Sequence, residues 1–453
     1  MGRITLGQAA AWCGGRIDPK YEHVTFLGAN NDTRKLEKDQ LFVALKGARD
    51  GHDFIPAALE KGAAAVLCTR CDGDYPAIVV EDTRIALGKI AAGERQRIGM
   101  KVVGVTGSVG KSTTKEMIVC VLATTYRVSK TPANHNNDIG MPMAILAMPE
   151  DTQIAVLEMG MNHFGEIAYL TKIAKPDLGV IINIGTMHIE NLGSREGILQ
   201  AKLEILEGMG ESGKLFLDGD ESLLWNLRER RDMQPVYFGS KNPNCRLVAK
   251  DIMQADGILQ FIVDGSRCQF RAELPLEGEH YVHDALAAIA VGLELGIDEE
   301  KIRQSLAQFQ TMAGRQEIEE RNGYTIIRDY YNAGPESMAA ALAVLGNKSG
   351  RKIAVLGDML ELGVCAPAEH YKIGRIAAEK TDMVFAYGPH GIRVLDGCIT
   401  GGMTETCARA FTDRDRLVSV LKQVVRPGDV ILFKGSRGMR MELILEKFLE
   451  EEK

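Results

Sequence analysis

The chain has 453 residues, 45% hydrophobic and 25% charged, with a formal net charge of −7. Length and composition fit a globular protein of about three domains, and the lack of a basic block argues against a nucleic-acid surface. No stretch approaches a membrane span, Met1–Leu6 reads as no targeting signal, and nine scattered cysteines read as reduced thiols; a cytoplasmic protein acting on small molecules is expected.

Residues 1–98 carry their own polar punctuation. Asn30-Asn31-Asp32-Thr33-Arg34 precedes an apolar run from Leu41 that reaches Lys46-Gly47, and Asp50-Gly51-His52 leads into a helical pattern over 55–62. Arg34 and Lys46 suit an anionic ligand, although solvated turns carry such residues as readily. Cys68 and Cys71 follow the run 63–67 and read as a strand end, because no second pair completes a zinc site.

From 99 to 312 short apolar runs at 102–106, 154–158, 178–184 and 214–217 alternate with helical segments, predicting a doubly wound parallel sheet with ligands at the carboxyl ends of its strands. The first run opens into Thr106-Gly107-Ser108-Val109-Gly110-Lys111-Ser112-Thr113. Glycines there let backbone N–H groups curl around phosphate oxygens, Lys111 reaches the terminal phosphates, and the Ser112 hydroxyl suits Mg²⁺. The strict motif wants glycine at Val105, and Gly104 lies one place early. Glu158 ends the second run in a carboxylate, the usual complement to a phosphate-loop hydroxyl on Mg²⁺. His188 sits beyond the third. Lys202, among apolar residues of a predicted helix over 195–209, reads from spacing alone as a snorkelling surface lysine. Residues 247–274 alternate like antiparallel strands turned at Asp256-Gly257 and Asp264-Gly265, and a small-residue helix follows Glu279 and ends near Gly296.

Residues 313–453 begin with Gly314-Arg315 and form a second alternating unit, with strands at 324–329, 352–356, 383–387 and 430–433. Its polar residues, Asp329 to Ser337, Asp358 to Gly363 and Lys434 to Arg437, converge on one sheet edge.

Together these motifs resemble the Mur ligases of bacterial peptidoglycan synthesis over nearly the whole length. The phosphate loop, Asn134 to Pro142, Leu157-Glu158-Met159-Gly160 and Ala201-Lys202-Leu203-Glu204 are similar to the family's central motifs. Asp329 to Asn332 and Gly357 to Gly363 resemble its C-terminal ones, and Asp32-Thr33-Arg34 and Asp50-Gly51-His52 resemble N-terminal loops of the branch acting on UDP-N-acetylmuramoyl-tripeptide and D-alanyl-D-alanine. The resemblance implies an α/β protein of three domains: a smaller N-terminal UDP-substrate domain (1–98), a central ATP domain (99–312) and a C-terminal Rossmann-like ligase domain (313–453). It implies a monomer using ATP and Mg²⁺ to make an amide through an acyl phosphate.

The roles it implies are these. Lys111, His188 and Lys202 are catalytic. Gly107, Ser108, Val109, Gly110, Lys111, Ser112, Thr113, Asp284, Arg315, Asp329 and Asn332 bind ATP. Asp32, Thr33, Arg34, Lys46, His52, Asn134, Asn137, Lys434 and Ser436 bind substrate. Ser112 and Glu158 hold one Mg²⁺, and His188 with a carbamylated Lys202 holds a second. Arg315 and Asp329 would close onto the nucleotide about a hinge at 312–314. Three positions depart from the branch: Asp284 and Gly334 stand where asparagine is usual, and Arg328 replaces the first acid of an Asp-Asp pair. Another Mur-like amide ligase shares the central machinery. A switch or motor NTPase would want Asn-Lys-x-Asp, whereas Asn347-Lys348-Ser349-Gly350 lacks the aspartate.

Overall fold

The computed structural model describes residues 3–230, 233, 235–266 and 268–450. Three sheets larger than a hairpin run along the described chain. The first is four-stranded and parallel, in the order Ala29–Asn30, Leu41–Val43, Ala65–Cys68, Ala77–Val79, beside a hairpin-like pair, Ile4–Thr5 with Thr25–Phe26. The expected strand to Gly47 stops at Val43, because the Leu45 amide donates back to the Val43 carbonyl and Gly51 donates to Leu45, which turns the chain.

The second sheet has nine strands. From the edge they run Cys268–Leu274, Ile258–Gly265, Leu247–Ala255, Val236–Gly239, Lys214–Asp218, Leu178–Ile181, Lys101–Thr106, Ile154–Glu158 and Val128–Lys130. The first two pairings are antiparallel, as the alternation over 247–274 predicts, and the rest are parallel. Register sets the site: Thr106 pairs with Ile181 and Val105 with Glu158, so the phosphate loop, Glu158 and the segment after Ile181 leave the sheet at one edge. That segment was expected to stay strand to residue 184, but ladder pairing ends at Ile181 and the Asn183 side chain engages the loop instead. The expected helix over 195–209 is α-helical only over Arg195–Leu203 and tightens to a 3₁₀ turn over Glu204–Gly208. Its end is pulled out of register because the Glu204 carboxylate accepts from the Gly165 and Ala168 amides, and the Thr171 hydroxyl donates to the Ile205 carbonyl.

The third sheet has the order Glu317–Arg321, Tyr324–Arg328, Val430–Lys434, Lys352–Gly357, Met383–Tyr387, Ala408–Phe411, parallel except for the first pair. Two apolar cores line its faces, their buried members all from Ile326 onward. By contrast, one core is continuous from Leu41, Val43 and Leu67 of the first sheet, through Leu87 and Ile90 of the helix Thr83–Ile98, to Ile145 and Leu157 beside the second sheet.

Candidate functional site

A cavity of about 1410 Å³ opens at the carboxyl edge of the nine-stranded sheet. Residues from the phosphate loop, the 134–138 loop, Glu158, His188, His280 to Asp284, Arg315, Asp329 to Ala333, Glu361, Lys434 and Arg437 line it. The loop turns through Gly110, whose φ of 83° is a left-handed conformation that suits glycine, and opens the helix Lys111–Leu122. The amides at that helix start face the cavity with the positive end of the helix dipole.

The expected metal pair is in contact: the Ser112 hydroxyl donates to Glu158 Oε2 at 2.8 Å. Asn136 Nδ2 donates to Glu158 Oε1 at 2.9 Å, and the fully buried Lys115 lies 3.6 Å from the same carboxylate. Arg315 reaches across from the C-terminal unit and donates to Ser112 Oγ at 2.9 Å while stacking on the Tyr331 ring, 4.2 Å from its centroid. A cation therefore already sits at the Ser112 hydroxyl, which fits the donor set for a metal. Lys111 folds back on its own loop, donating to the carbonyls of Gly107 at 2.8 Å and Ser108 at 3.2 Å. Burial, then the nearby Arg315 charge, pushes its ammonium down from the usual lysine range.

Asn183 holds the first half of the loop. Its Oδ1 accepts from the amides of Ser108 and Val109 at 3.0 and 2.9 Å, and its Nδ2 donates to the Val109 carbonyl at 3.0 Å. Hence two of the amides expected to curl around phosphate face a side-chain oxygen here. The helix-start amides at Lys111, Ser112 and Thr113 remain. Gly185 continues the tie, its amide donating to Ser108 Oγ.

Lys202 corrects the reading from spacing: it is 2% exposed. No hydrogen bond or ion pair reaches it among the described residues, and burial, then repulsion from Lys111, pushes its amine well below the ordinary lysine range. His188, in a left-handed conformation with φ of 64°, lies with Nδ1 2.7 Å from Glu361 Oε2, off the line of a hydrogen bond. The ring nevertheless holds the Glu361 carboxyl below its usual range.

In the C-terminal unit the expected ATP residue Asp329 and the buried substrate residue Lys434 form a partly buried ion pair at 2.6 Å, and Lys434 also donates to the Asn332 carbonyl. Asn332 lines the cavity. Ser436 does not: its hydroxyl donates to the Ala333 carbonyl and accepts from the Leu360 amide, tying two loops together. Gly334 has a packing reason, since a side chain there would come within 2.7 Å of Met187 Cγ and force that methionine aside. Arg328 pairs with Glu319 on the neighbouring strand, away from the cavity.

Asp284 sits behind the loop rather than out in the cavity mouth. Its Oδ1 accepts from the Thr114 hydroxyl at 2.7 Å, and a Cβ on Gly110 would lie 2.7 Å from that same oxygen. Burial pushes the acid up to about 7. An acid whose pKa rises on folding opposes the fold as it ionises, so its penalty grows from the unfolded value of 3.8 to about pH 7 and is constant above. Asp284→Asn is therefore expected to stabilise the chain at pH 8 by about 1–2 kcal/mol, with the gain vanishing near pH 4. Thermal unfolding across that range checks it.

The N-terminal candidates lie outside the cavity. Arg34 makes a two-pronged pair with Asp32 at 2.8–2.9 Å and is largely exposed, as is Lys46, with Thr33 half-buried between Asp32 and Arg34. His52 is internal to its loop: Nε2 accepts from the Thr69 amide at 2.9 Å, which leaves the protonated Nδ1 facing Asp50 at 2.6 Å. Lys35 is near enough to His135 to join burial in lowering its pKa, so this loop faces the 134–137 loop. There Asn134 and Asn137 both line the cavity, and Asn137 Oδ1 also accepts from the Gly140 and Ile139 amides at the start of the helix Gly140–Leu146. Sequence reasoning missed Asn136, Asn183, Glu336 and Glu361. Glu336 accepts from the Thr186 amide and hydroxyl across the two units.

Comparison with known proteins agrees with this layout. Profiles described as "Mur ligase family, catalytic domain", "Mur ligase middle domain" and "Mur ligase, glutamate ligase domain" match residues 23–95, 105–292 and 314–437. The chain is 43% identical to the UDP-N-acetylmuramoyl-tripeptide--D-alanyl-D-alanine ligase of Bacillus subtilis, covering 96% of this chain and 95% of that protein. It is 34% identical to the Escherichia coli protein of the same name, covering 99% and 98%. A crystal structure of MurF from Acinetobacter baumannii superposes with a TM-score of 0.92 at 32% identity over all of both chains. MurF ligase from Thermotoga maritima, solved with ADP, superposes at 0.81 and 32% identity over 93% of this chain and 97% of that one. The chain belongs to the Mur ligase family.

Proposed function

We propose that this ATP-dependent ligase joins D-alanyl-D-alanine to UDP-N-acetylmuramoyl-tripeptide, giving UDP-N-acetylmuramoyl-pentapeptide, ADP and phosphate for peptidoglycan precursors. Full-length similarity to ligases of that name supports the substrates. The observation that carries the chemistry is the meeting of Ser112, Glu158 and Arg315 at the mouth of the phosphate loop.

The peptide carboxylate attacks the γ-phosphorus of ATP and ADP leaves, forming an acyl phosphate. The dipeptide amine then attacks the carbonyl carbon, phosphate departs, and the amine gives up a proton. Most of the catalytic task is to hold crowded anions in line and neutralise them. Lys111, released from its loop carbonyls, would meet the transferring phosphoryl group. The helix-start amides would take the neighbouring phosphate, and Arg315 would turn from Ser112 onto the nucleotide. Ser112 with Glu158 fits Mg²⁺ as a contacting pair of hard oxygen donors, and His188 with a carbamylated Lys202 would hold a second ion. Bound there, Mg²⁺ would supply charge neutralisation to the crowded anions of the reaction.

The partition 1–98, 99–312 and 313–453 is supported by the three sheets and three profile matches. On it, Asp32 to Arg34, Lys46 and His52 serve the UDP end, and Asp329, Asn332 and Lys434 the nucleotide-facing side of the C-terminal unit. Among the described residues no helix is long and apolar enough to cross a membrane; the cytoplasmic location belongs to the proposed reading, whose named substrates are those of the similar ligases. Phosphate is expected only when ATP, the UDP-muramoyl-tripeptide and the dipeptide are all present. Phosphate release with either acceptor omitted would overturn the reading.

A further inference from the structure

Glu361 is strained, held and chemically unspent. Its φ of 65° places a glutamate in the left-handed region, a conformation that persists only when its surroundings enforce it. The surroundings do so here. The Met359 amide donates to His370 Nε2 at 2.9 Å, the Leu360 amide donates to Ser436 Oγ at 2.9 Å, and Leu362 is buried. His370 is itself buried, with Nδ1 against the Ala366 carbonyl at 2.7 Å.

The strained residue projects into the large cavity, half-exposed, beside His188 and with Lys111 on the same cavity wall. Other acids lining that cavity are engaged by donors: Glu158 by Ser112 and Asn136, Asp329 by Lys434, Glu336 by Thr186, Glu221 by Arg195. Glu361 accepts no hydrogen bond of good geometry among the described residues, since its contact with His188 is off line. It is thus an oriented anion on the C-terminal unit, facing the place where the acyl phosphate would form.

Resting on the ligase reading above, we propose that Glu361 receives the α-ammonium group of the incoming dipeptide and sets its position beside His188. A carboxylate opposite an ammonium gives a charge-assisted hydrogen bond, which discriminates the amine from an uncharged group of the same size.

The test is steady-state kinetics of the full chain with ATP, UDP-muramoyl-tripeptide and D-alanyl-D-alanine. Glu361→Gln is expected to raise KM for the dipeptide by about tenfold or more, with KM for ATP and for the UDP-substrate little changed, and Glu361→Asp to recover part of the loss. A dipeptide analogue with hydroxyl in place of the amine, used as inhibitor, should bind wild type and Glu361→Gln alike. An unchanged dipeptide KM, or loss shared equally by the hydroxyl analogue and ATP as a mere latch to His188 would give, overturns the assignment alone. Absence of dipeptide-dependent phosphate release by wild type overturns the ligase reading with it.

Discussion

Replacing Lys202 with methionine is expected to lower ligase turnover by about 10³-fold, in the range of losing a principal electrostatic contact in a water-poor site, while leaving the fold intact. The reason is burial without a counter-charge. At 2% exposure, with Lys111 nearby, an ammonium at this position is disfavoured, which raises the share of neutral amine. A neutral amine adds CO₂: the N–C bond forms, a proton leaves, and the product is an anionic oxygen donor. Methionine keeps the volume and cannot react. Lys202→Arg cannot react either, yet it brings a permanent charge into the same pocket, so it should lose thermal stability as well as turnover. Phosphate release and thermal unfolding of both variants check this, and wild type should lose activity when CO₂ and bicarbonate are stripped. A methionine variant with near-normal turnover would remove Lys202 from the mechanism.

Glu158→Gln is expected to reduce ATP turnover by about 10²–10³-fold and to lower the melting temperature. Its carboxylate gathers Ser112, Asn136 and the fully buried Lys115. An amide keeps the shape but offers no charge to a metal, and it leaves Lys115 with Glu116, 3.4 Å away, as its remaining carboxylate. Truncating one partner of a buried charge pair leaves the other uncompensated. Adding Lys115→Met to Glu158→Gln should therefore restore much of the stability and none of the turnover. Equal recovery of both would mean that Glu158 is a structural ion-pair partner alone.

The phosphate loop and Glu158 were legible because each combines a local pattern with a strand end: a β-branched run supplies the strand, and glycines or a carboxylate supply the tip. The parallel alternation and the antiparallel turns at Asp256 and Asp264 were legible for the same reason. The burial of Lys202 was not legible from spacing, although the motif Ala201-Lys202-Leu203-Glu204 marked the residue out by resemblance: helical spacing says which face a residue is on, and says nothing of what covers that face. Asn183 and Asn136 look like ordinary polar loop residues until register brings the loop amides and Glu158 beside them. The strain at Glu361 is enforced by His370 and Ser436, distant in sequence, so no local pattern signals it.

The apolar cores also say which parts of the chain are interchangeable. The first sheet shares its core with the helix Thr83–Ile98 and with residues beside the central sheet, whereas both cores of the third sheet close upon themselves. A chimera cut near residue 98 would expose facing apolar surfaces on both fragments and aggregate. One cut near Met312 leaves each apolar core whole and parts polar contacts such as Arg315 with Ser112 and Glu336 with Thr186. On the function proposed above, variation in the amine donor would arise by shuffling whole C-terminal units, while variation at the UDP end would accumulate one substitution at a time within a shared interior.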